Sequence, residues 1–193
     1  MAKSNTPGYA KDRWETPEWL FYWLNKNYRF TIDLATSGSN SRLARYYTER
    51  QDAIRQKWSK DALKGGYAPV GFLNPPYSNI TPWINKIIDE KGQGFTTVMV
   101  MPTPNGESYY RPLFNHASKI TYINGRVAFI ASCDFTRKMP NGRRAKTLKG
   151  TALSGNTRGT CVVEFTPDSR GLVVKNIDRD LLIKQFEEKQ CQA

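Results

Sequence analysis

The four residues Asn74-Pro75-Pro76-Tyr77 carry the most specific chemistry in this chain of 193 residues. The carboxamide oxygen of an Asn accepts a hydrogen bond from a planar amino group, and the Pro75 carbonyl can accept a second. The Pro75 nitrogen has no proton with which to compete. Two acceptors drawing on one NH2 group shift its lone pair from the aromatic ring toward nitrogen, which makes it nucleophilic without a strong base. Tyr77 offers a ring face on which a flat base can stack, a contact worth about 1–3 kcal/mol. The plainer reading of Asn-Pro is a turn that reverses the chain. Against it stand the apolar run Val70-Gly71-Phe72-Leu73 before the motif and a helix start at Thr81-Pro82 after it. They set the motif at the carboxyl end of a strand, where open α/β sheets bind ligands.

Carboxylates supply a second chemistry. Asp33, at the end of the apolar run Phe30 to Ala35, is placed to accept from a ligand's ammonium group. A carboxylate farther along would accept from ribose hydroxyls, as acidic residues do in nucleotide sites, and Asp52 and Asp61 compete for that place. His116 is the only histidine, so a multi-histidine metal site is excluded and any triad would depend on that residue. Cys133, Cys161 and Cys191 contain no CxxC pair, which argues for reduced thiols and against a disulfide framework or zinc ribbon. No metal site is expected.

Positioning these groups takes alternating strands and helices. Thr16-Pro17 reads as a helix start, Thr as N-cap and Pro at the first position, with Leu20, Trp23 and Leu24 following at helical spacing. Strands are expected at 30–35, 70–73, 95–101, 120–123 and 161–165. Helices are expected at 42–47, 53–60, from Thr81 to about Gly92, at 108–116 and at 179–189. The helix opened by Thr81-Pro82 carries Ile80, Trp83, Ile84, Ile87 and Ile88 on one face. Strand, helix, strand in succession implies βαβ crossovers, hence an α/β protein with a mostly parallel central sheet flanked by helices.

Length and composition fit one domain over residues 1–193, with 39% hydrophobic residues and 12% aromatics to fill its core. Residues 1–12, with Ser4, Asn5, Pro7 and Gly8, read as a loose tail. The balance of 29 Lys+Arg against 17 Asp+Glu, a net charge of +12, favours a polyanionic partner. Half of that excess falls in residues 131–160, where Arg137, Lys138, Arg143, Arg144, Lys146, Lys149 and Arg158 face only Asp134. With Gly142, Gly150, Gly155 and Gly159 interspersed and no periodicity, this stretch reads as a basic loop. No apolar run approaches the roughly 20 residues of a membrane helix, and the first residues hold no apolar leader, so no membrane partner and a cytoplasmic protein are expected.

The motifs taken in order resemble those of a family. They are Trp14-Glu15-Thr16-Pro17; Ile32-Asp33-Leu34-Ala35 followed by Asn40; Asp52-Ala53-Ile54 followed by Trp58; Asn74-Pro75-Pro76-Tyr77; and Gly125-Arg126-Val127-Ala128-Phe129. From about Trp14 to about Phe165 the chain resembles the phage-type, Dam-like DNA adenine methyltransferases. The resemblance implies a Rossmann-like methyltransferase fold and methyl transfer from S-adenosylmethionine to adenine N6 in double-stranded DNA, often within GATC. It implies catalytic roles for Asn74, Pro75, Pro76 and Tyr77, and cofactor contacts from Trp14, Thr16, Pro17, Asp33, Ala35, Asn40 and Asp52. The Thr16-Pro17 helix start would then offer N–H groups to the cofactor's carboxylate end. DNA contacts are expected from Arg126, Arg137, Lys138, Arg143, Arg144 and Lys146. The chain departs from the wider pattern in one place: no glycine-rich FxGxG loop follows the first strand, and Asp33-Leu34-Ala35 takes that place. None of the cysteines follows a proline, so the Pro-Cys nucleophile of cytosine-C5 methyltransferases is absent. Transfer needs no covalent intermediate, but the adenine must leave the stack.

The tetrad is also similar to those of glutamine-N5 methyltransferases acting on proteins and guanine-N2 methyltransferases acting on RNA, since all methylate planar amino groups. Charge favours a nucleic acid. A non-catalytic nucleic-acid binder, with basic residues and Tyr/Trp platforms, is the remaining reading, and S-adenosylmethionine binding separates it from an enzyme.

Overall fold

The structure, a computed structural model, describes residues 6–62, 68–138, 141–153, 158–169 and 171–192. Its strands are β1 (Ile32–Thr36), β2 (Tyr46–Thr48), β3 (Val70–Leu73), β4 (Thr96–Pro102), β5 (Lys119–Asn124), β6 (Phe135–Lys138), β7 (Arg144–Thr147), β8 (Thr160–Phe165) and β9 (Val173–Asp178). Its helices are α1 (Gly8–Lys11), α2 (Glu18–Tyr28), α3 (Trp58–Ala62), α4 (Thr81–Gly92), α5 (Tyr110–His116) and α6 (Arg179–Gln190).

Seven strands form one sheet in the order β2-β1-β3-β4-β8-β5-β9, and β6 pairs with β7 in a separate ribbon. Neighbours are parallel except where β8 runs antiparallel between β4 and β5. The α/β class with a mostly parallel sheet follows the sequence expectation. Alternation along β4 shows how both faces are filled: Val98 and Val100 join Leu20, Phe21, Leu24 and Phe72 under α2. Met99 and Met101 point the other way, to Trp58, Ile84, Ile87 and Leu113 under α3, α4 and α5. Glu90, 0% exposed on α4, accepts from the Trp58 and Ser59 N–H groups at 3.1 and 2.9 Å and so closes the start of α3.

Chain order sets the site. From β1 the chain passes to β2 on one side and then to β3 on the other, so the order reverses between β1 and β3. A crevice opens at the carboxyl ends of strands where such a reversal occurs. Gly71 lets these strands close up, because a Cβ there would stand 2.7 Å from Leu34 Cδ1 and 2.8 Å from the Phe95 ring.

Several elements differ from expectation. Residues 42–47 are not a helix; Tyr46, Tyr47 and Thr48, β-branched or aromatic, pair with β1 instead. Ala53–Arg55 is a single 3₁₀ turn, followed by α3. Thr16 does not cap α2: Pro17 occupies the cap position and the Thr16 hydroxyl has no partner among the described residues. In α4 the Thr81-Pro82 pair sits one place further in, with Ile80 before the first turn. The edge strand β9 was not expected, because almost every residue in it is exposed and no buried alternation marks it. Within the expected tail the described residues are not loose: α1 buries Ala10, and Asp12 accepts from the Ser78 N–H at 3.0 Å. Residues 1–5, Gly65-Gly66 and Gly155 lie outside the described residues. No helix among the described residues is long and apolar enough to cross a membrane.

Candidate active site

A cleft of about 900 Å³ opens at the carboxyl edge of the sheet over β1 and β3. Asp33 to Thr36 form its floor, Ser37, Ser39, Asn40 and Arg42 one wall, and Asp12 to Thr16 of the amino-terminal segment another. Asp52, Phe72, Asn74, Pro76, Trp83, Ser132 and Cys133 also line it, with Glu49 and Arg50 near its rim. The sequence therefore named Trp14, Thr16, Asp33, Ala35, Asn40, Asp52, Asn74 and Pro76 among residues that do share one cleft. Pro75 is buried beside it, and neither Pro17 nor Tyr77 lines it.

Asn74 follows the last residue of β3, and its carboxamide is pinned at both ends. Nδ2 donates to the Trp14 carbonyl at 2.7 Å, while Oδ1 accepts from the Tyr77 hydroxyl at 2.5 Å. A carbonyl can only accept, so the amide nitrogen must face Trp14 and the oxygen's remaining lone pair is left for a donor. The Tyr77 ring packs against the core rather than into the cleft, and its hydroxyl also lies 3.0 Å from the Val100 carbonyl.

Asp33 is the second residue of β1, not its last. Opposite β2 the register slips between Asp33 and Thr36, so that three steps on β1 face two on β2. Asp33 Oδ1 accepts the Ala35 N–H at 3.2 Å. Only 5% exposed, its carboxyl is pushed up to about 6 by burial, against the opposing pull of the Ala35 N–H, the Ser41 hydroxyl and Arg42. The loop beyond is turned by Gly38, at φ +86°, and clasped by Asn40, whose Oδ1 accepts from Ser37 N at 2.9 Å and from the Thr36 hydroxyl. This clasp stands where a glycine-rich loop would otherwise turn the chain.

Of the two competing carboxylates, Asp52 lines the cleft, in a left-handed conformation at φ 49°. Such a backbone is strained for a residue other than glycine, though Asp tolerates it. Asp61 does not line the cleft, and it accepts from the Tyr47 hydroxyl at 2.5 Å. Three buried polar atoms of cleft residues lack a partner among the described residues: Trp14 Nε1, Thr16 Oγ1 and Ser132 Oγ. Unsatisfied buried donors are what a polar ligand would use. Sequence reasoning missed Arg42, Asp12 and Ser132, which lie in loops without periodicity.

The basic segment is not a structureless loop. Phe135 pairs with Thr147 and Lys138 with Arg144 in an antiparallel ribbon. Phe135 and Thr147 are buried, so alternation turns Thr136, Lys138, Arg144 and Lys146 outward. Arg143 is exposed in the turn, Arg137 lies on the inner side, and Lys146 is held by Asp134 at 2.9 Å. At the ribbon's base Ala131, Phe135 and Leu153 pack with Ala10 and Trp14, and Ile130 bridges Glu15 and Ala152, which ties the ribbon to the wall of the cleft. Arg126, also exposed, follows β5 at the same edge of the sheet.

Fold and site define an α/β protein with a ligand cleft at the reversal point of its sheet and an amide acceptor fixed in the wall of that cleft. The sequence pattern of the DNA N-6-adenine-methyltransferase (Dam) family matches residues 3–165, and the chain belongs to that family. It is 30% identical over 134 residues to the DNA N-6-adenine-methyltransferase of Haemophilus phage HP1, covering 67% of this chain and 73% of the relative. It is 24% identical over 162 residues to that of Escherichia phage T1, covering 82% of this chain and 64% of the relative.

Proposed function

We propose that the chain is a site-specific DNA methyltransferase that moves a methyl group from S-adenosylmethionine to N6 of an adenine turned out of double-stranded DNA. The observation that carries this reading is the doubly pinned Asn74 carboxamide, facing the same cleft as the buried carboxylate of Asp33. Family membership supports a single domain of Rossmann-like methyltransferase fold acting on cytoplasmic DNA, with GATC as the first recognition site to test.

The cleft residues fit the cofactor: Asp33 would accept from its α-ammonium and Asp52 from its ribose hydroxyls, while the unpartnered Trp14, Thr16 and Ser132 groups would donate. Asn40, its oxygen used in the loop clasp, would present its amide nitrogen. When bound, S-adenosylmethionine supplies an electrophilic methyl on a sulfonium. Asn74 Oδ1 and the Pro75 carbonyl then accept from the adenine amino group, turn its lone pair outward and stabilise the positive charge that develops on it. Pro76 shapes the cleft wall. In this reading Tyr77, its ring packed against the core, does not stack on the base as the sequence suggested but holds Asn74 in place through its hydroxyl. The outward face of the ribbon, with Lys138, Arg144 and Lys146, Arg143 at its turn and Arg126 beside it, contacts DNA, while Arg137, turned to the inner side, would reach DNA only past the ribbon's edge. A two-stranded ribbon fits the major groove.

The test is transfer of tritiated methyl from S-adenosylmethionine to unmethylated DNA, followed by digestion. Release of N6-methyladenine is expected. Label in N4-methylcytosine, RNA or protein would overturn the assignment, and failure to bind the cofactor would favour a non-catalytic binder.

A further inference from the structure

Arg42 is a cleft cation that the reading above leaves without a role; burial partly desolvates it, and it stands close to Asp33. Its Nη2 donates to the Thr16 carbonyl at 3.2 Å, and its guanidinium carbon stands 5.3 Å from the centre of the Phe21 ring. Glu15, Glu18 and Asp33 surround it electrostatically, yet no carboxylate makes an ion pair with it among the described residues. Stacked on Phe21 and held by Thr16, the guanidinium is fixed in place with most of its five N–H groups unspent. On the same residue as the carbonyl that holds it is the buried Thr16 hydroxyl, a further donor without a partner among the described residues. Asp33, by contrast, is an acceptor. The floor and two walls of the cleft thus bring a buried acceptor together with two donors, one of them cationic, which is the complement of an amino acid's ammonium and carboxylate.

Resting on the reading of this cleft as an S-adenosylmethionine site, we propose that Arg42 binds the cofactor's α-carboxylate while Asp33 takes its α-ammonium. Arg42 thereby selects the intact amino acid over any adenosyl sulfonium that lacks a carboxylate. A planar fork meeting a carboxylate gives paired, charge-assisted hydrogen bonds, which are among the stronger polar contacts in proteins.

Calorimetric affinities for S-adenosylmethionine and for decarboxylated S-adenosylmethionine test this, measured on the wild type, Arg42→Ala and Arg42→Met. The Met variant keeps an apolar stem over Phe21 and guards against loss of packing, and thermal melting monitors the fold of each. The wild type is expected to prefer the intact cofactor by about tenfold or more. Both variants should lose about 10- to 100-fold in affinity for it. The decarboxylated form carries only positive charges, so removing Arg42 should leave its affinity unchanged or raise it. A preference that survives in Arg42→Met overturns the proposal by placing the carboxylate on other groups. Equal losses for both ligands overturn it too, by giving Arg42 a purely structural role. A wild type that binds neither ligand removes the cofactor reading itself, and this proposal with it.

Discussion

The Tyr77 hydroxyl stands 2.5 Å from Asn74 Oδ1 and 3.0 Å from the Val100 carbonyl oxygen, one proton between two acceptors. Burial pushes the Tyr77 phenol well above its ordinary range, so that proton stays in place at any working pH. When an amino group donates to Asn74 Oδ1, the Tyr77 proton can turn to Val100 without leaving a buried acceptor unpaired. Tyr77 so acts on the reaction through Asn74, as a positioning residue.

Replacing Asn74 with Ala should lower kcat by about 10²-fold or more while leaving cofactor affinity nearly unchanged, because the lost contact forms in the transition state. Tyr77→Phe keeps the ring and removes only the proton, and should lower kcat by about tenfold, the value of one buried hydrogen bond, with KM for DNA held. Steady-state kinetics on both variants decide between roles. Full activity in Tyr77→Phe would leave Tyr77 only its ring's packing in the core, and a raised KM with intact kcat in Asn74→Ala would contradict catalysis by Asn74.

Asp33 predicts a pH dependence of stability. Its folded pKa near 6 lies above the unfolded value of 3.8, so the folded state holds the proton more tightly. Stability from this group is fully present below pH 3.8 and is lost as pH rises through 6, a change of about 3 kcal/mol. Asp33→Asn cannot ionise. Its stability relative to the wild type should therefore grow between pH 4 and pH 7, read from urea unfolding at each pH, while its affinity for S-adenosylmethionine at pH 8 falls by about tenfold. A stability difference that does not change with pH would mean that Asp33 ionises in the fold as freely as in water.

How much of this was legible in the sequence depends on whether a residue's role is local. Val70–Leu73 reads as a strand because it is a short apolar run, three of whose four residues are buried, and Asn74 follows directly. The slip at Asp33–Thr36 does not, because it arises from the register against Tyr46 and Thr48 across the sheet. Likewise Trp14 was expected near the cofactor, but its carbonyl's hold on Asn74, 60 residues away, depends on how the amino-terminal segment folds back. The ribbon at 135–147 escaped notice because its outward face is cationic, and only Phe135 and Thr147 mark its inner face.

Gly71 gives a packing prediction for the same strands. Gly71→Ala would drive a methyl group into Leu34 and Phe95, and overpacking of this kind costs about 1–3 kcal/mol. Leu34 adjoins Asp33, so the variant should also weaken cofactor binding. A melting temperature equal to that of the wild type would show that Phe95 moves aside freely.

The last prediction concerns Arg143 and Arg144 at the tip of the ribbon. Both are exposed, and neither is hydrogen-bonded to a carboxylate among the described residues, unlike Lys146 with its Asp134 partner. Arg144 lies across the ladder from Lys138, two like charges directly opposite, an arrangement that destabilises the ribbon unless an anion lies over both. If each arginine neutralises one phosphate, replacing both with Ala should weaken DNA binding on every sequence at low salt. It should also reduce the slope of log K against log salt by about 1.8, two contacts at roughly 0.9 each on B-form DNA. Methyl transfer at saturating DNA should survive, since the tip is built on strands separate from Asn74 and Asp33. An unchanged salt slope would leave the arginines as solvated charge. A variant that keeps nonspecific affinity but loses its preference among sequences would show instead that they read base edges.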